Sequence, residues 1–502
     1  MKLVSALAIA AAMTLAPNTA AAQDGISGPD EDSYIWLEEA RSDAALDWVR
    51  AENDRTMELL AGDPRFEEVK AEALAIYDSE DRIPYVSIRP DGLYNFWQDK
   101  QNPRGLVRRT TLESYRTDSP TWETVLDIDA LAEAEGREWV YKGYTCLPPE
   151  ERMCMIALSD GGEDATVLRE FDMATKSFVE NGFILDRKSQ GGIQWLDRDT
   201  LLVSRDFGEG TLTESQYPRT TRAWKRGTPI GGAEEIWRGE ESDVWSGATL
   251  LRDHTGTVHG MYAFRATSFH ETEYYWQKDG EWVRLDIPLK ASPYGLIDGQ
   301  LLFSTDVDWE TQGQTFPADA LISVDLEQFK ADPNGAKKTL VWAPQDKQTK
   351  QGAASTAESL YVSLLDNVRG RVLKFDHIDG KWVSTAIELP DNSTLDVVAA
   401  SDGSDEIMYS VTDFLTPSTL YYSDGSRAPE IIKTSPSYFD ATSMEVEQYE
   451  ATSADATKIP YFLVKPKGMV MDGTNPTLLT GYGGFQVPRL PSYLGSIGKI
   501  WL

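Results

Sequence analysis

The sequence predicts a mainly β protein whose largest part is a seven-bladed β-propeller. A chain of 502 residues is too long for one ordinary domain, but a single large β-architecture can take up most of it. From residue 83 onward, short β-rich runs alternate with Gly, Asp, Asn and Pro. One phrase, a short apolar strand followed by a polar turn, occurs seven times: "GLYNFWQD" (92–99), "RMCMIALS" (152–159), "TLLVSRDF" (200–207), "VHGMYAFR" (258–265), "QLLFSTDV" (300–307), "SLYVSLLD" (359–366) and "EIMYSVTD" (406–413).

Most copies of the phrase are followed by a hairpin. "TEYYWQKDGEWVRL" and "RVLKFDHIDGKWV" show the pattern best, with the turn residues that hairpins need. A repeat of roughly 40 to 60 residues with about four strands is typical of propeller blades, whereas a sandwich rarely has so many similar units. We expect the propeller to occupy residues 80–440.

The first 22 residues have the pattern of a secretory signal. A basic start at Lys2 precedes an apolar run over residues 3–16, and three alanines, residues 20–22, precede Gln23. The alternative is a retained anchor, but the run is short and rich in Ala for a membrane span. We therefore expect cleavage after Ala22 and a mature protein, periplasmic or secreted, with no membrane association.

Residues 23–79 are predicted to be largely helical. Ser42 can cap a helix whose apolar residues recur at helical spacing, and a second helical pattern covers residues 66–76. The two cysteines, Cys146 and Cys154, lie on two β-like runs around a Pro-Pro turn, where export makes a disulfide possible. The alternative is two buried thiols, because two cysteines without a nearby histidine cannot complete a metal site.

Charge narrows the possible partners. The 81 acidic and 48 basic residues give a formal charge of −33, which argues against binding nucleic acid. "LTESQYPRTTRAWKRG" (212–227) collects basic residues in this acidic chain, either as a solvated blade edge or as a contact for a peptide carboxylate or a partner domain. No metal or other cofactor is expected.

The last segment, residues 441–502, has a different pattern of apolar and polar residues. Two alternating strands surround "SADATK", and "NPTLLTGYGGF" is more continuously apolar, like a strand buried in an α/β sheet. Its glycines allow close approach of a ligand to the backbone, and Tyr482 can aim a hydroxyl at a developing oxyanion. The alternative is a strand-end turn with a buried tyrosine. We expect an α/β-hydrolase domain of which this chain holds only the first strands.

Three regions in order resemble the prolyl oligopeptidase family of serine peptidases: "SYIWLEE" (33–39), the long β region, and "TKIPYFLVKPKG" with "PTLLTGYGGF". Ser33 stands where the family usually has proline. The resemblance implies a propeller that gates access of short peptides to a hydrolase site, with a preference for cleavage after proline. We also expect a monomer and a helical segment, residues 23–79, packed on the hydrolase domain. The resemblance also implies that Tyr482 is an oxyanion donor and that Phe485 lines the substrate pocket.

The residues of a serine triad are not found where the resemblance requires them. No Gly-x-Ser-x-Gly occurs, and the histidines (His254, His259, His270 and His377) all fall in the predicted propeller. The chain as given should therefore be inactive. Two alternatives remain, a non-catalytic propeller that binds peptides or proteins, and a propeller glycosidase using acidic pairs such as those in "DVDWE" (306–310).

Overall fold

The computed structural model describes residues 32–39, 41–390, 393–482 and 489–502. Seven antiparallel sheets follow one another along the chain, each built from one continuous stretch of sequence. The first strand of each sheet contacts the first strand of a neighbouring sheet, and these first strands surround a central channel. This arrangement confirms the prediction of a mainly β protein with a seven-bladed propeller.

The first four blades contain strands β1 to β17. Their bounds are, for blade 1, β1 (Ser87–Arg89), β2 (Gly92–Trp97), β3 (Leu106–Thr110) and β4 (Glu123–Asp127); for blade 2, β5 (Trp139–Cys146), β6 (Met153–Asp160), β7 (Thr166–Asp172), β8 (Ser177–Phe178) and β9 (Ile184–Ser189); for blade 3, β10 (Gly192–Asp197), β11 (Thr200–Ser204), β12 (Thr220–Lys225) and β13 (Glu234–Arg238); and for blade 4, β14 (Trp245–Arg252), β15 (Val258–Ala266), β16 (Thr272–Lys278) and β17 (Glu281–Arg284).

The remaining strands form three more blades and two separate hairpins. Their bounds are, for blade 5, β18 (Ala291–Ile297), β19 (Gln300–Thr305), β22 (Leu321–Asp325) and β23 (Lys338–Trp342), with the inserted hairpin β20 (Trp309–Thr311) and β21 (Gln314–Phe316); for blade 6, β24 (Gln348–Ser355), β25 (Ser359–Asp366), β26 (Arg369–Ile378) and β27 (Lys381–Ala386); for blade 7, β28 (Thr394–Ala400), β29 (Ile407–Thr412), β30 (Thr419–Ser423) and β31 (Glu430–Thr434); and for the last hairpin, β32 (Met444–Thr452) and β33 (Lys458–Pro466).

Helices are short apart from the first two. They are α1 (Asp43–Ala61), α2 (Phe66–Tyr77), α3 (Leu112–Tyr115), α4 (Ile128–Glu135), α5 (Leu326–Ala331) and α6 (Gly495–Ile500). Ser42 caps α1 as predicted, because its hydroxyl accepts a hydrogen bond from the Ala45 N–H at 3.2 Å. In the described part of the chain, no helix combines the length and the apolar character needed to cross a bilayer.

The recurring apolar phrase of the sequence is the second strand of each blade. β25 shows the reason, because seven of its eight residues are buried and it lies between two strands and between two neighbouring blades. The first strand borders the channel and has a more mixed pattern. In β14, for example, Trp245 is exposed while Ser246 and Ala248 are buried.

Each interface between neighbouring blades contains one hydrophobic cluster. Between blades 4 and 5 the cluster is large and includes Trp276, Phe303 and Phe329. Between blades 3 and 4 it has three buried members, Trp237, Ala248 and Ala263. A large core at one interface and a small one at the next leave room beside blades 3 and 4.

One end of the propeller carries the rest of the described chain. Strands alternate in direction, so the loop from the second to the third strand of a blade lies at the same end as the crossing to the next blade. We call this end the crossover face. There Lys347, before β24, pairs with Glu450 of β32 at 2.8 Å, and the Thr394 hydroxyl donates to the Pro491 carbonyl at 2.6 Å. The β32–β33 hairpin and residues 489–502 therefore lie on the crossover face at blades 6 and 7.

The predicted buried strand at residues 477–480 is wrong. This stretch is irregular, and Leu479 is 92% exposed. A strand is stabilised by backbone hydrogen bonds to a neighbour. Among the described residues no strand lies alongside 477–480, and the β32–β33 hairpin forms its own two-stranded sheet.

Candidate functional site

Tyr482 is the predicted oxyanion donor, and the structure leaves its side chain accessible. The residue is 52% exposed, and the Arg489 guanidinium lies 5.1 Å from the centre of its ring. Gly481, just before it, has open space around the position of a Cβ atom. A guanidinium over a phenol ring is a cation–π contact. It holds the ring by its face and leaves the hydroxyl edge available to a ligand.

Phe485, the predicted pocket residue, lies outside the described residues, as do Gly483 and Gly484. Its role stays a prediction. Residues 489–502, which follow in the chain, contact the 437–439 stretch. The Tyr493 hydroxyl accepts a hydrogen bond from the Tyr438 N–H at 2.8 Å, and the Tyr493 ring stacks on Phe439 with the ring centres 5.4 Å apart.

Two of the four histidines pair with carboxylates. Nε2 of His259 lies 2.7 Å from Oδ2 of Asp253, and Nδ1 of His377 lies 2.7 Å from Oδ2 of Asp298. The His259 pair lies at the hairpin between the first and second strands of blade 4, and His377 lies at the hairpin between the third and fourth strands of blade 6. Hairpins of these two kinds are at the end of the propeller opposite the crossover face. They are therefore separated from Tyr482 by the height of the propeller.

The chemistry around these pairs is also not that of a nucleophilic triad. The free nitrogen of His259 faces the Lys330 ammonium at 3.5 Å, and the ring of His377 packs on Trp382 at 5.1 Å. A triad needs a serine hydroxyl at that nitrogen. These histidines thus act as structural partners of blade hairpins.

The basic stretch at residues 212–227 is engaged inside the propeller. Arg219 pairs with Glu241 at 2.8 Å, and Arg226 makes a two-pronged contact with Glu170 at 2.7 and 2.9 Å. Because Glu170 belongs to blade 2 and Arg226 to blade 3, the arginine joins two blades. The two arginines are neutralised by the protein's own carboxylates and do not form a free cationic surface.

The structure joins Cys146 and Cys154 by a disulfide across the β5–β6 hairpin, with their Cα atoms 3.9 Å apart. The guanidinium of Arg89, from β1, donates to the Cys146 sulfur at 3.1 Å and pairs with Glu151 at 2.9 Å. It also lies over the rings of Tyr94 and Tyr144. The bridge thus lies at a junction of blades 1 and 2.

The wall of the channel at blades 2 to 5 contains two adjoining cavities of about 490 and 520 Å³. They share residues 191–193 and Tyr217. We call the joined cavities the channel trough. Sequence reasoning missed this feature, because its residues are scattered over four blades and no local motif marks them. Within the described residues, no cluster of three or more His, Cys, Asp or Glu side chains is arranged to hold a metal ion.

Comparison with known proteins shows which family the chain belongs to. The profile described as "Prolyl oligopeptidase, N-terminal beta-propeller domain" matches residues 21–433. The chain belongs to the prolyl oligopeptidase family. The resemblance seen in the sequence is thereby confirmed, and with it the assignment to a family of serine-type peptidases.

Individual members of the prolyl oligopeptidase family are similar over nearly the whole chain. An uncharacterized peptidase of Sinorhizobium fredii is 41% identical over 94% of this chain and 66% of its own length. The prolyl endopeptidase of Elizabethkingia miricola is 26% identical over 94% of this chain and 64% of its own. The solved structure of a post-proline cleaving enzyme from Rickettsia typhi superposes with a TM-score of 0.82 at 26% identity, covering 93% of this chain and 69% of that one. The chain thus spans about two thirds of the length of these relatives.

Proposed function

We propose that this chain is the N-terminal portion of an exported serine oligopeptidase that hydrolyses short peptides, with cleavage after proline as its preference. The propeller gates access to the site, and the protein acts as a monomer in the periplasm or outside the cell. The observation that carries the proposal is membership of a peptidase family through its propeller, together with relatives named prolyl endopeptidase or post-proline cleaving enzyme.

The role of Tyr482 follows from its chemistry. Peptide hydrolysis by a serine passes through a tetrahedral intermediate whose oxygen carries negative charge, and a fixed O–H donor stabilises that charge. The accessible phenol of Tyr482 on the crossover face is suited to this task. The serine, histidine and aspartate belong, in this proposal, to a region that corresponds to the third of the relatives not covered by this chain.

Export is proposed from the signal-like residues 1–22. The Cys146–Cys154 bridge is consistent with an oxidising compartment.

The first test replaces Tyr482 by Phe in the complete protein encoded by the gene. Loss of one oxyanion donor should lower kcat for a succinyl-Ala-Pro-aminomethylcoumarin substrate by roughly 100-fold or more, with KM little changed. Tyr461→Phe is the matched control, because Tyr461 is an exposed tyrosine that stacks on Tyr449 in the β32–β33 hairpin. Equal kcat values for the two variants would remove Tyr482 from the mechanism.

A second candidate function is a propeller module that binds peptides without hydrolysing them. It is favoured by the absence of a Gly-x-Ser-x-Gly motif in these 502 residues and by the position of the His–Asp pairs away from Tyr482. A fluorophosphonate probe distinguishes the two functions. Covalent labelling of a serine in the complete protein supports the peptidase, whereas an unlabelled protein that binds peptides supports the module.

A further inference from the structure

The channel trough opens toward the crossover face. Its lining includes Gly192, Trp245 and Pro293, which lie at or near the starts of β10, β14 and β18. Those strand starts follow the crossings from the preceding blades, so they lie at the end of the channel that also carries the Tyr482 segment. A peptide approaching Tyr482 through the propeller therefore passes the trough.

The part of the trough at blades 3 to 5 is uncharged and rich in aromatic side chains. None of the residues lining this cavity of about 490 Å³ carries a charge, although the chain has a formal charge of −33. The Trp245 ring meets Phe264 edge-on at 4.7 Å, and Tyr274 lies 6.5 Å from Phe264. Trp245 remains 52% exposed. A pocket of this size with aromatic walls is typical of sites that take apolar groups.

The polar groups of this cavity are neutral hydrogen-bonding groups. Burial raises the pKa of Tyr274 to about 12 and also raises the pKa of Tyr262, so both phenols keep their protons at neutral pH. Gln194 is held in place, because its side-chain oxygen accepts the Leu250 N–H at 2.8 Å and its nitrogen donates to Thr249. A charged group entering here would lose water without meeting an opposite charge.

Glycines leave the floor of the trough open. A Cβ atom added at Gly143 or Gly192 would meet nothing within 4 Å, so these positions border empty space. Gly191 is different, because its φ of +86° and the Ser204 carbonyl at 2.1 Å from a Cβ position require glycine. Backbone exposed at such positions can approach an extended peptide closely.

We propose that the part of the channel trough at blades 3 to 5 binds an uncharged stretch of peptide, with its aromatic or aliphatic side chains against Trp245 and Phe264, at a distance from the bond to be cut. This site gives the protein a preference for peptides that carry such a stretch. The inference rests on the proposed function, because it assigns the ligand as a substrate.

The experiment measures binding to the chain by isothermal titration calorimetry with acetyl-Ala-Phe-Pro-Phe-Ala-amide. Gly192→Leu places a side chain in the trough and should weaken binding at least about tenfold, a loss of roughly 1.4 kcal/mol. Trp245→Ala should weaken it at least about fivefold. Gly352→Leu is the matched control, because Gly352 lies on the first strand of blade 6, outside the trough, and a Cβ there also meets nothing within 4 Å. It should bind like the wild type.

Replacing both phenylalanines of the peptide by Glu or by Lys should weaken binding at least about tenfold. The proposal is overturned if the wild type does not bind the neutral peptide at about 1 mM, if Gly192→Leu and Gly352→Leu bind alike, or if the Lys peptide binds as well as the neutral one. Binding can be measured without hydrolysis, so the two proposals can be tested separately. If the wild type does not bind the neutral peptide but the complete protein is labelled at a serine, the trough proposal is wrong and the peptidase proposal stands. If the wild type binds the neutral peptide but the complete protein is not labelled, the trough is a peptide-binding site and the peptidase proposal is wrong.

Discussion

At the scale of single residues, Glu170 shows how the propeller stabilises a buried charge. Its side chain is 1% exposed and accepts a hydrogen bond from the Phe183 N–H at 2.7 Å. Its two carboxylate oxygens also accept hydrogen bonds from the two terminal nitrogens of the Arg226 guanidinium. The same guanidinium lies over the Phe183 ring at 4.3 Å. Hydrogen bonding to Glu170 raises the pKa of Arg226, so the guanidinium is charged at neutral pH.

Arg226→Met should lower the free energy of unfolding by about 3 kcal/mol, because it leaves a buried carboxylate without its cation. Urea unfolding followed by tryptophan fluorescence measures the loss. Arg427→Met is the control, since Arg427 pairs with Asp424 at an exposed turn, and its urea midpoint should not change. The expectation fails if the two variants lose the same stability.

At the scale of elements, a single aspartate organises the turn between β7 and β8. The Asp172 carboxylate accepts hydrogen bonds from the Ala174 N–H at 2.9 Å and the Thr175 N–H at 3.3 Å, and Arg152 donates to it at 2.6 and 2.9 Å. The Arg152 hydrogen bonds, with those of the turn, lower the pKa of Asp172 to about 2. The turn therefore depends on an ionised carboxylate.

Asp172→Asn should lower the free energy of unfolding at pH 7. The difference in this free energy between the variant and the wild type should become smaller as the pH falls below 4. A carboxylate whose pKa is lowered by folding contributes stability above its unfolded pKa of 3.8 and loses it as the pH falls toward about 2. Urea midpoints between pH 7 and pH 3 measure this difference. Asp186→Asn removes the same charge from an exposed position on β9, so a difference of the same size and pH dependence there would contradict the assignment.

The sequence predicted some elements and not others, for physical reasons. β6 and β25 were recognisable because strands buried on both faces read as continuous apolar runs. The first strands were harder to recognise, because the channel allows polar and glycine residues such as those of β24. The stretch 477–480 has the composition of a buried strand, but a strand forms only beside a partner, which local composition does not reveal.

At the scale of the whole molecule, side chains close the ring. Among the described strands, none of blade 1 pairs with blade 7. Instead Ile88 and Leu93 pack against Met408 and Leu420 in one cluster. Arg116 adds an ion pair with Glu430 at 2.5 Å. The seam between the first and last blades is therefore held by hydrophobic packing and surface charges.

Met408→Ala should open this seam. Met408 is 0% exposed, and removing most of its side chain leaves a cavity that costs about 3 kcal/mol. Backbone hydrogen exchange should accelerate in blades 1 and 7 more than in blade 3. Met471→Ala is the control, because Met471 is exposed on the loop after β33. Uniform acceleration in all seven blades would show that the seam has no special role.

The candidate site was predictable only in part at this scale. Tyr482 is a candidate because it lies in a glycine-rich sequence, and its role stays a prediction. The trough was not predicted, because Gly143, Gly192 and Trp245 come together only when blades 2, 3 and 4 are assembled. Long-range assembly of this kind leaves no short motif in the chain.

The contact between α2 and α6 sets a timing problem for synthesis on the ribosome. The Tyr77 hydroxyl lies 3.1 Å from the Ser496 hydroxyl, and Lys499 pairs with Glu72 at 3.5 Å. At roughly 5–20 residues per second, about 420 residues of translation separate these partners by roughly 20 to 80 s. Helix α2 emerges early but docks late, so its contact with α6 forms only after all seven blades have been synthesised.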